Sequence, residues 1–205
     1  SDTDDNRFNF TNTYVQEAGT GTDPINPDPT YTDDGSLKVT KAINANGGTV
    51  DAEKKFDFTA TFIFPTGTDA STLRAKATIE STATDITGTS YTFKLKHNQN
   101  VKFTGLPVGT EISVTESATP NYKGSAERTF NGVAQTKIEA TKYDEAITVT
   151  NTLGQKQNKV AVTNTYNYVP TTGIIMNTLP YVLMVALCAV ALFGFVAFKR
   201  KKVQK

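Results

Sequence analysis

Three polar residues, Lys41, Glu116 and Asn164, stand where the local pattern expects apolar ones. Each closes an alternating run: Leu37-Lys38-Val39-Thr40-Lys41, Ile112-Ser113-Val114-Thr115-Glu116 and Val160-Ala161-Val162-Thr163-Asn164. Successive side chains of a strand point to opposite faces. Lys41 therefore shares a face with Leu37 and Val39, Glu116 with Ile112 and Val114, and Asn164 with Val160 and Val162. Lys and Glu usually occupy solvated faces, and burying any one of the three alone is costly. Together they can resolve that cost by reacting. Burial lowers a lysine pKa and raises a glutamate pKa. A neutral Lys41 amine is a competent nucleophile. A protonated Glu116 can donate to the Asn carboxamide oxygen and polarise its carbon. Attack would form a Lys–Asn isopeptide bond and release ammonia, with Glu116 shuttling protons. Asn151, in Ile147-Thr148-Val149-Thr150-Asn151-Thr152, offers a second possible acceptor.

A second group of residues reads as a bond to be cut. Val169-Pro170-Thr171-Thr172-Gly173 precedes an uncharged run of 20 residues, Leu179 to Phe198, and Lys199-Arg200-Lys201-Lys202 follows. Pro170 favours an extended backbone and removes a donor. Gly173 permits close approach by another protein. In this setting the pentapeptide resembles the LPXTG-type sorting signal read by sortases, with Val169 replacing the usual leucine. The resemblance implies cleavage between Thr172 and Gly173. The Thr172 carbonyl would pass to a sortase cysteine and then to an amine of another subunit or of the cell wall. A helix of 20 residues reaches about 30 Å, the thickness of a bilayer's hydrocarbon core, and satisfies its own backbone groups. A transmembrane helix is therefore expected over 174–198. The basic tail, 199–205, is expected in the cytoplasm and all upstream residues outside. Ser1 is not an initiator Met and no signal peptide is present, so the chain reads as a processed product or fragment.

These residues need strands to position them. Short alternating pieces recur between Ser36 and Tyr166: Ser36–Ile43, Lys55–Phe64, Leu73–Ile79, Tyr91–Lys96, Asn100–Thr104, Thr110–Glu116, Tyr122–Phe130, Thr136–Ala140, Ala146–Asn151 and Lys159–Thr165. Gly47-Gly48, Gly105, Pro107, Gly109 and Asn131-Gly132 punctuate them. Many short strands with frequent turns predict an all-β sandwich over 36–168. Residues 16–35, rich in Gly, Pro, Asp and Thr, read as a linker. Asn6-Arg7-Phe8-Asn9-Phe10-Thr11-Asn12-Thr13-Tyr14 resembles Asn158-Lys159-Val160-Ala161-Val162-Thr163-Asn164-Thr165-Tyr166. Residues 1–15 are therefore expected to be the last strand of an upstream domain. Net charge is +1, but five cations follow Phe198. Setting them aside leaves 16 basic and 20 acidic residues, about −4, and no basic patch for nucleic acid. The one cysteine, Cys188, lies in the apolar run, so no disulfide staples the exported part. The one histidine, His97, reads as a hairpin-loop residue, and no metal site or cofactor is suggested. Asp2-Thr3-Asp4-Asp5-Asn6 starts like a calcium loop but lacks its glycine and distal glutamate. It reads as a disordered acidic end.

Three stretches carry a family resemblance. The first is Ser36-Leu37-Lys38-Val39-Thr40-Lys41 to Asn46-Gly47-Gly48, with Lys55-Phe56-Asp57-Phe58. The second is Tyr91-Thr92-Phe93-Lys94-Leu95-Lys96. The third is Val101-Lys102-Phe103-Thr104-Gly105-Leu106-Pro107-Val108-Gly109, running into Val114-Thr115-Glu116. They resemble the C-terminal domain of streptococcal backbone (major) pilins of the T-antigen, FctA type. The resemblance implies an immunoglobulin-like sandwich and a cross-link through Lys41 and Glu116. It favours Asn164 as acceptor over Asn151, because the family's reactive Asn lies just before the sorting signal. On that reading Ala146–Asn151 and Lys159–Thr165 form a final hairpin. By the same logic Asn12 is the isopeptide acceptor of the upstream domain. The implied function is a structural subunit of a Gram-positive cell-surface pilus, polymerised or wall-anchored by sortase. A wall-anchored adhesin or stalk that binds a host or carbohydrate ligand is the alternative. The implied partners are sortase, neighbouring pilin subunits or cell-wall peptidoglycan, and transiently the membrane. The chain is then a substrate of sortase; beyond a single-turnover self-ligation it is not an enzyme.

Overall fold

Period-two alternation builds this fold strand by strand. In β2 (Phe56–Ile63), Phe56, Phe58, Ala60 and Phe62 are buried while Asp57, Thr61 and Ile63 face out. β1 (Leu37–Asn44) buries Leu37, Val39 and Lys41. The computed structural model describes residues 15–169 and 172–202. In the first of its two units, 1–167, the remaining strands are β3 (Lys76–Ile79), β4 (Thr82–Asp85), β5 (Ser90–Leu95), β6 (Asn100–Thr104), β7 (Glu111–Glu116), β8 (Tyr122–Phe130), β9 (Val133–Glu139), β10 (Ile147–Thr152) and β11 (Lys159–Tyr166). They form a seven-stranded sheet, β4-β3-β6-β1-β11-β8-β9, and a four-stranded sheet, β10-β7-β2-β5. The inner faces enclose one core. Phe103 of β6 meets Phe62 of β2 edge-to-face at 5.7 Å, and Phe58 stacks on Phe93 at 5.2 Å. The result is a two-sheet β-sandwich, as the alternation predicts.

β1 and β11 are central neighbours in the larger sheet and run parallel, with Lys41 opposite Val162 and Ile43 opposite Asn164. The expected final hairpin is not formed. β10 pairs with β7 in the four-stranded sheet, whereas β11 lies between β1 and β8 in the other. The six residues between them carry the chain from one sheet to the other, and Leu153 and Asn158 of that crossing are buried.

The stretch read as a linker, 16–35, is held against the sandwich. Ala18 is fully buried and its N–H donates to the Leu106 carbonyl at 2.8 Å. The Glu17 carboxylate accepts the Ser36 hydroxyl at 2.9 Å and the Gly105 N–H at 2.6 Å. Gly19 has φ 75°, and a Cβ there would lie 2.0 Å from the Gly35 carbonyl oxygen, so the two ends of the strap touch backbone to backbone. α1 (Pro29–Thr32) is a single turn capped by Asp28, whose carboxylate accepts the Thr30 N–H. Composition alone suggested a free linker because Gly, Pro and Asp also build tight docked turns.

The second unit, 168–205, holds α2 (Thr172–Lys202). Its described side chains from Tyr181 to Phe195 are almost all exposed and apolar. Among the described residues no helix is long and apolar enough to cross a membrane. The expected span over 174–198 is thus not met among the described residues. The upstream-strand expectation, with Asn12, lies outside the described residues.

Replacing Glu17 with Ala should lower stability by about 1.5–3 kcal/mol, the worth of hydrogen bonds to a charged group. Chemical denaturation checks this; an unchanged midpoint would mean that the strap adds nothing to the sandwich.

Candidate functional site

Parity brings three polar side chains into the core from two sheets. Lys41 comes from the fifth position of β1 and Asn164 from the sixth of β11. Glu116, the last residue of β7, comes from the facing sheet. Their exposures are 2%, 3% and 2%. The Lys41 Nζ donates to Glu116 Oε1 at 3.0 Å and to Oε2 at 3.2 Å. The Asn164 Nδ2 donates to the same Oε1 at 2.5 Å. One carboxylate oxygen therefore receives both nitrogens. The Asn164 Oδ1 is buried and has no hydrogen-bond partner among the described residues. This differs from the expected arrangement, in which Glu116 donates to the carboxamide oxygen: the amide presents its nitrogen instead.

The surroundings are aromatic. The Lys41 Nζ lies 4.0 Å from the Phe56 ring centroid and 5.9 Å from that of Phe58. Burial pushes the Lys41 amine down to about 8, against the opposing pull of Glu116. Burial pushes the Glu116 carboxyl up, with Lys41 and then Asn164 opposing. In both cases desolvation outweighs the partner. The neutral amine with a neutral acid carries as many protons as the ion pair. A single transfer within the pair thus creates the nucleophile without exchange with solvent.

Asn151 is elsewhere. It pairs with Ile112, four residues along β7 from Glu116, which is about 13 Å at strand rise. Its Nδ2 donates to Gln135 Oε1 at 2.7 Å and its Oδ1 accepts the Thr152 N–H at 2.8 Å. Of the sorting-signal residues, Val169 is exposed. The backbone of Thr172 and Gly173 forms the first turn of α2 rather than an extended strand, and Pro170 and Thr171 lie outside the described residues. Among the described residues no group of His, Cys, Asp or Glu is arranged to hold a metal ion.

Two neighbours of the cluster escape a reading of the sequence. Gly124 of β8 pairs with Asn164. A Cβ there would meet Ile147 Cγ2 at 3.0 Å and Asn164 Oδ1 at 3.5 Å. Its missing side chain makes room for the amide and for Ile147, the residue opposite Glu116 on β10. A glycine inside a strand pattern is the only signal, and it says just that something approaches closely. Phe56 roofs the Lys41 amine and reads in sequence as plain core.

A family model described as "Domain of unknown function (DUF7601)" matches residues 35–166. No curated protein matches the chain. Among solved structures, the major pilin protein (T3.2) from Streptococcus pyogenes is similar, with 25% identity and a TM-score of 0.51, over 63% of this chain and 44% of that one. A second major pilin structure from Streptococcus pyogenes gives 24% identity and a TM-score of 0.48, over 63% and 47%. A pilus-presented adhesin gives 20% identity and a TM-score of 0.44, over 63% and 26%. The chain thus spans less than half the length of the pilins it matches, and its sandwich resembles that of the T3.2 protein.

Two predictions follow from the crowding and charge of the cluster. Gly124→Ala should cost about 1–3 kcal/mol by overpacking, whereas Gly88→Ala, with nothing within 4 Å of its new Cβ, should change little; denaturant midpoints compare them. In an Asn164→Ala variant Lys41 stays unlinked and holds its proton more weakly folded than unfolded. From about pH 8 towards the ordinary value of 10.5 the unfolded chain binds more protons, so stability should rise with pH. A urea midpoint series checks this, and adding Lys41→Met should remove that rise.

Proposed function

The chain belongs to the DUF7601 family, and we propose that it is a structural subunit of a Gram-positive cell-surface pilus. It is joined to a neighbour or to peptidoglycan through Thr172 and locked internally by a Lys41–Asn164 isopeptide bond. The observation that carries this reading is the shared Glu116 oxygen, which holds the Lys41 amine and the Asn164 amide together in a buried aromatic setting. Similarity to a Streptococcus pyogenes major pilin supports the surface location.

The ligation proceeds within this cluster. Glu116 takes a proton from Lys41, leaving a neutral amine and a neutral acid. The amine attacks the Asn164 Cγ, and the new C–N bond forms as the carbonyl electrons move to Oδ1. Glu116 returns a proton to Nδ2, which already lies on its Oε1, and the C–Nδ2 bond breaks. Ammonia leaves, and the attacking nitrogen gives its second proton back to Glu116. Atoms balance as ammonium plus carboxamide plus carboxylate giving isopeptide plus ammonia plus a protonated Glu116, which keeps the proton that Lys41 brought to the pair. The same site needs no oxidant, in keeping with a chain whose one cysteine is Cys188.

The bond would close a loop of more than 100 residues between the first and last strands of the sandwich. By loop entropy such a closure adds about 4–5 kcal/mol. β1 and β11 lie side by side and parallel, so tension entering at Leu37 and leaving at Tyr166 would cross at Lys41–Asn164 and spare the sandwich body. Sortase would act at Thr172 after the first turn of α2 unwinds. The uncharged run ending at Phe198 and the cations after it support a transient membrane hold before that transfer, with the tail in the cytoplasm.

Two measurements test this reading. Asn164→Ala should lower stability by about 4–5 kcal/mol in a denaturant series; a loss under about 1 kcal/mol would argue against a closed loop. On the parent cells the chain should run as a denaturant-resistant high-mass ladder that collapses when the sortase is removed. A single wall-bound species in place of the ladder would favour an anchored adhesin instead.

A further inference from the structure

β1 outlasts its partner on one side. Its ladder with β6 ends at Thr40, opposite Asn100, yet Lys41 and Ile43 still direct backbone groups to that side. The turn from Lys96 to Gln99, closed by the Gln99 N–H on the Lys96 carbonyl at 3.1 Å, continues the ladder. The Lys41 N–H donates to the Gln99 carbonyl at 2.9 Å, and the Asn98 N–H donates to the Lys41 carbonyl at 2.9 Å. Asn98 sits at φ 62°, the left-handed conformation that lets the turn fold back. The Ile43 N–H has a side-chain acceptor: the Nδ1 of His97, at 2.9 Å. A ring nitrogen that accepts carries no proton, so His97 is held as the tautomer protonated on Nε2. On its other flank Ile43 lies opposite Asn164. The imidazole therefore fixes the residue between the nucleophile's strand and the acceptor's strand.

We propose that His97 is a positioning residue for the Lys41–Asn164 ligation, holding the end of β1 against β11 through the Ile43 amide. The inference rests on the ligation proposed above. Without an acceptor the Ile43 N–H would turn to water, and β1 would loosen two residues past Lys41, directly beside Asn164. Reacting atoms tolerate little of this, because a misplacement of about 1 Å can cost roughly a hundredfold in rate. The acceptor position is specific. An asparagine side chain presents Oδ1 at the same reach from the backbone as Nδ1, whereas glutamine places its oxygen one methylene farther out.

The test follows the full chain from pulse-labelled cell-free synthesis, quenched in denaturant at intervals and read by intact mass for loss of one ammonia. His97→Asn should ligate at the wild-type rate. His97→Ala and His97→Gln should be slower by roughly ten- to hundredfold. A wild-type rate in His97→Ala, or an Asn variant as slow as the Ala variant, would overturn the role of His97. Absence of ammonia loss in the wild-type chain would overturn the ligation itself, and this inference with it, before any variant is compared.

Discussion

The Lys41 amine lies inside the sandwich, 3.0 Å from a Glu116 oxygen and 4.0 Å from the Phe56 ring. Taking two charges out of water costs several kcal/mol for each, and their attraction repays it only with near-ideal geometry and satisfied hydrogen bonds. Among the described residues the satisfaction is incomplete, since the buried Asn164 Oδ1 has no partner there. The cluster is therefore an expensive way to fill a core. Burial drives both groups toward neutrality, and neutral partners are the ones able to react. The same physics that makes the cluster poor as a resting ion pair makes it suited to a one-time ligation.

The architecture serves this constraint. The amine and the amide come from adjacent parallel strands of one sheet, and the carboxyl comes from the facing sheet. The carboxyl and the two nitrogens thus close on one another only when the two sheets pack. Gly124 leaves space beside the amide, and the turn at Lys96–Gln99 secures the outer half of β1. At the other end of β1 the strap from Glu17 to Gly35 anchors the chain before the first strand, through Ser36, Gly105 and Leu106. The turn and the strap thus steady β1 at its two ends, and Gly124 serves the amide on β11.

Much of this was legible in the chain. Inward parity of Lys41, Glu116 and Asn164 needs only the two-residue period of a strand, and nothing distant can change it. The choice between Asn164 and Asn151 was harder, since both follow a Val-Thr pair in similar strands. What separates them is which sheet each strand joins, a non-local outcome that turned an expected hairpin into a crossover. His97 does lie in the turn between β5 and β6, as a loop reading expects, but its partner was hidden because the amide it caps lies 54 positions away in sequence. Glu17 and Ala18 looked like linker because their partners, near Gly105 and Leu106, are supplied by another loop. Local chemistry survives translation into sequence; the identity of a partner brought in by topology does not.

The central claim is a covalent bond between Lys41 and Asn164. Tandem mass spectrometry of a proteolytic digest of the folded chain tests it most directly. The account predicts a branched peptide joining the Lys41 and Asn164 segments, lighter by one ammonia than their sum, and its absence from a Glu116→Ala digest. Recovery of two separate linear peptides from fully folded wild-type protein, with the Asn164 carboxamide intact, would contradict it.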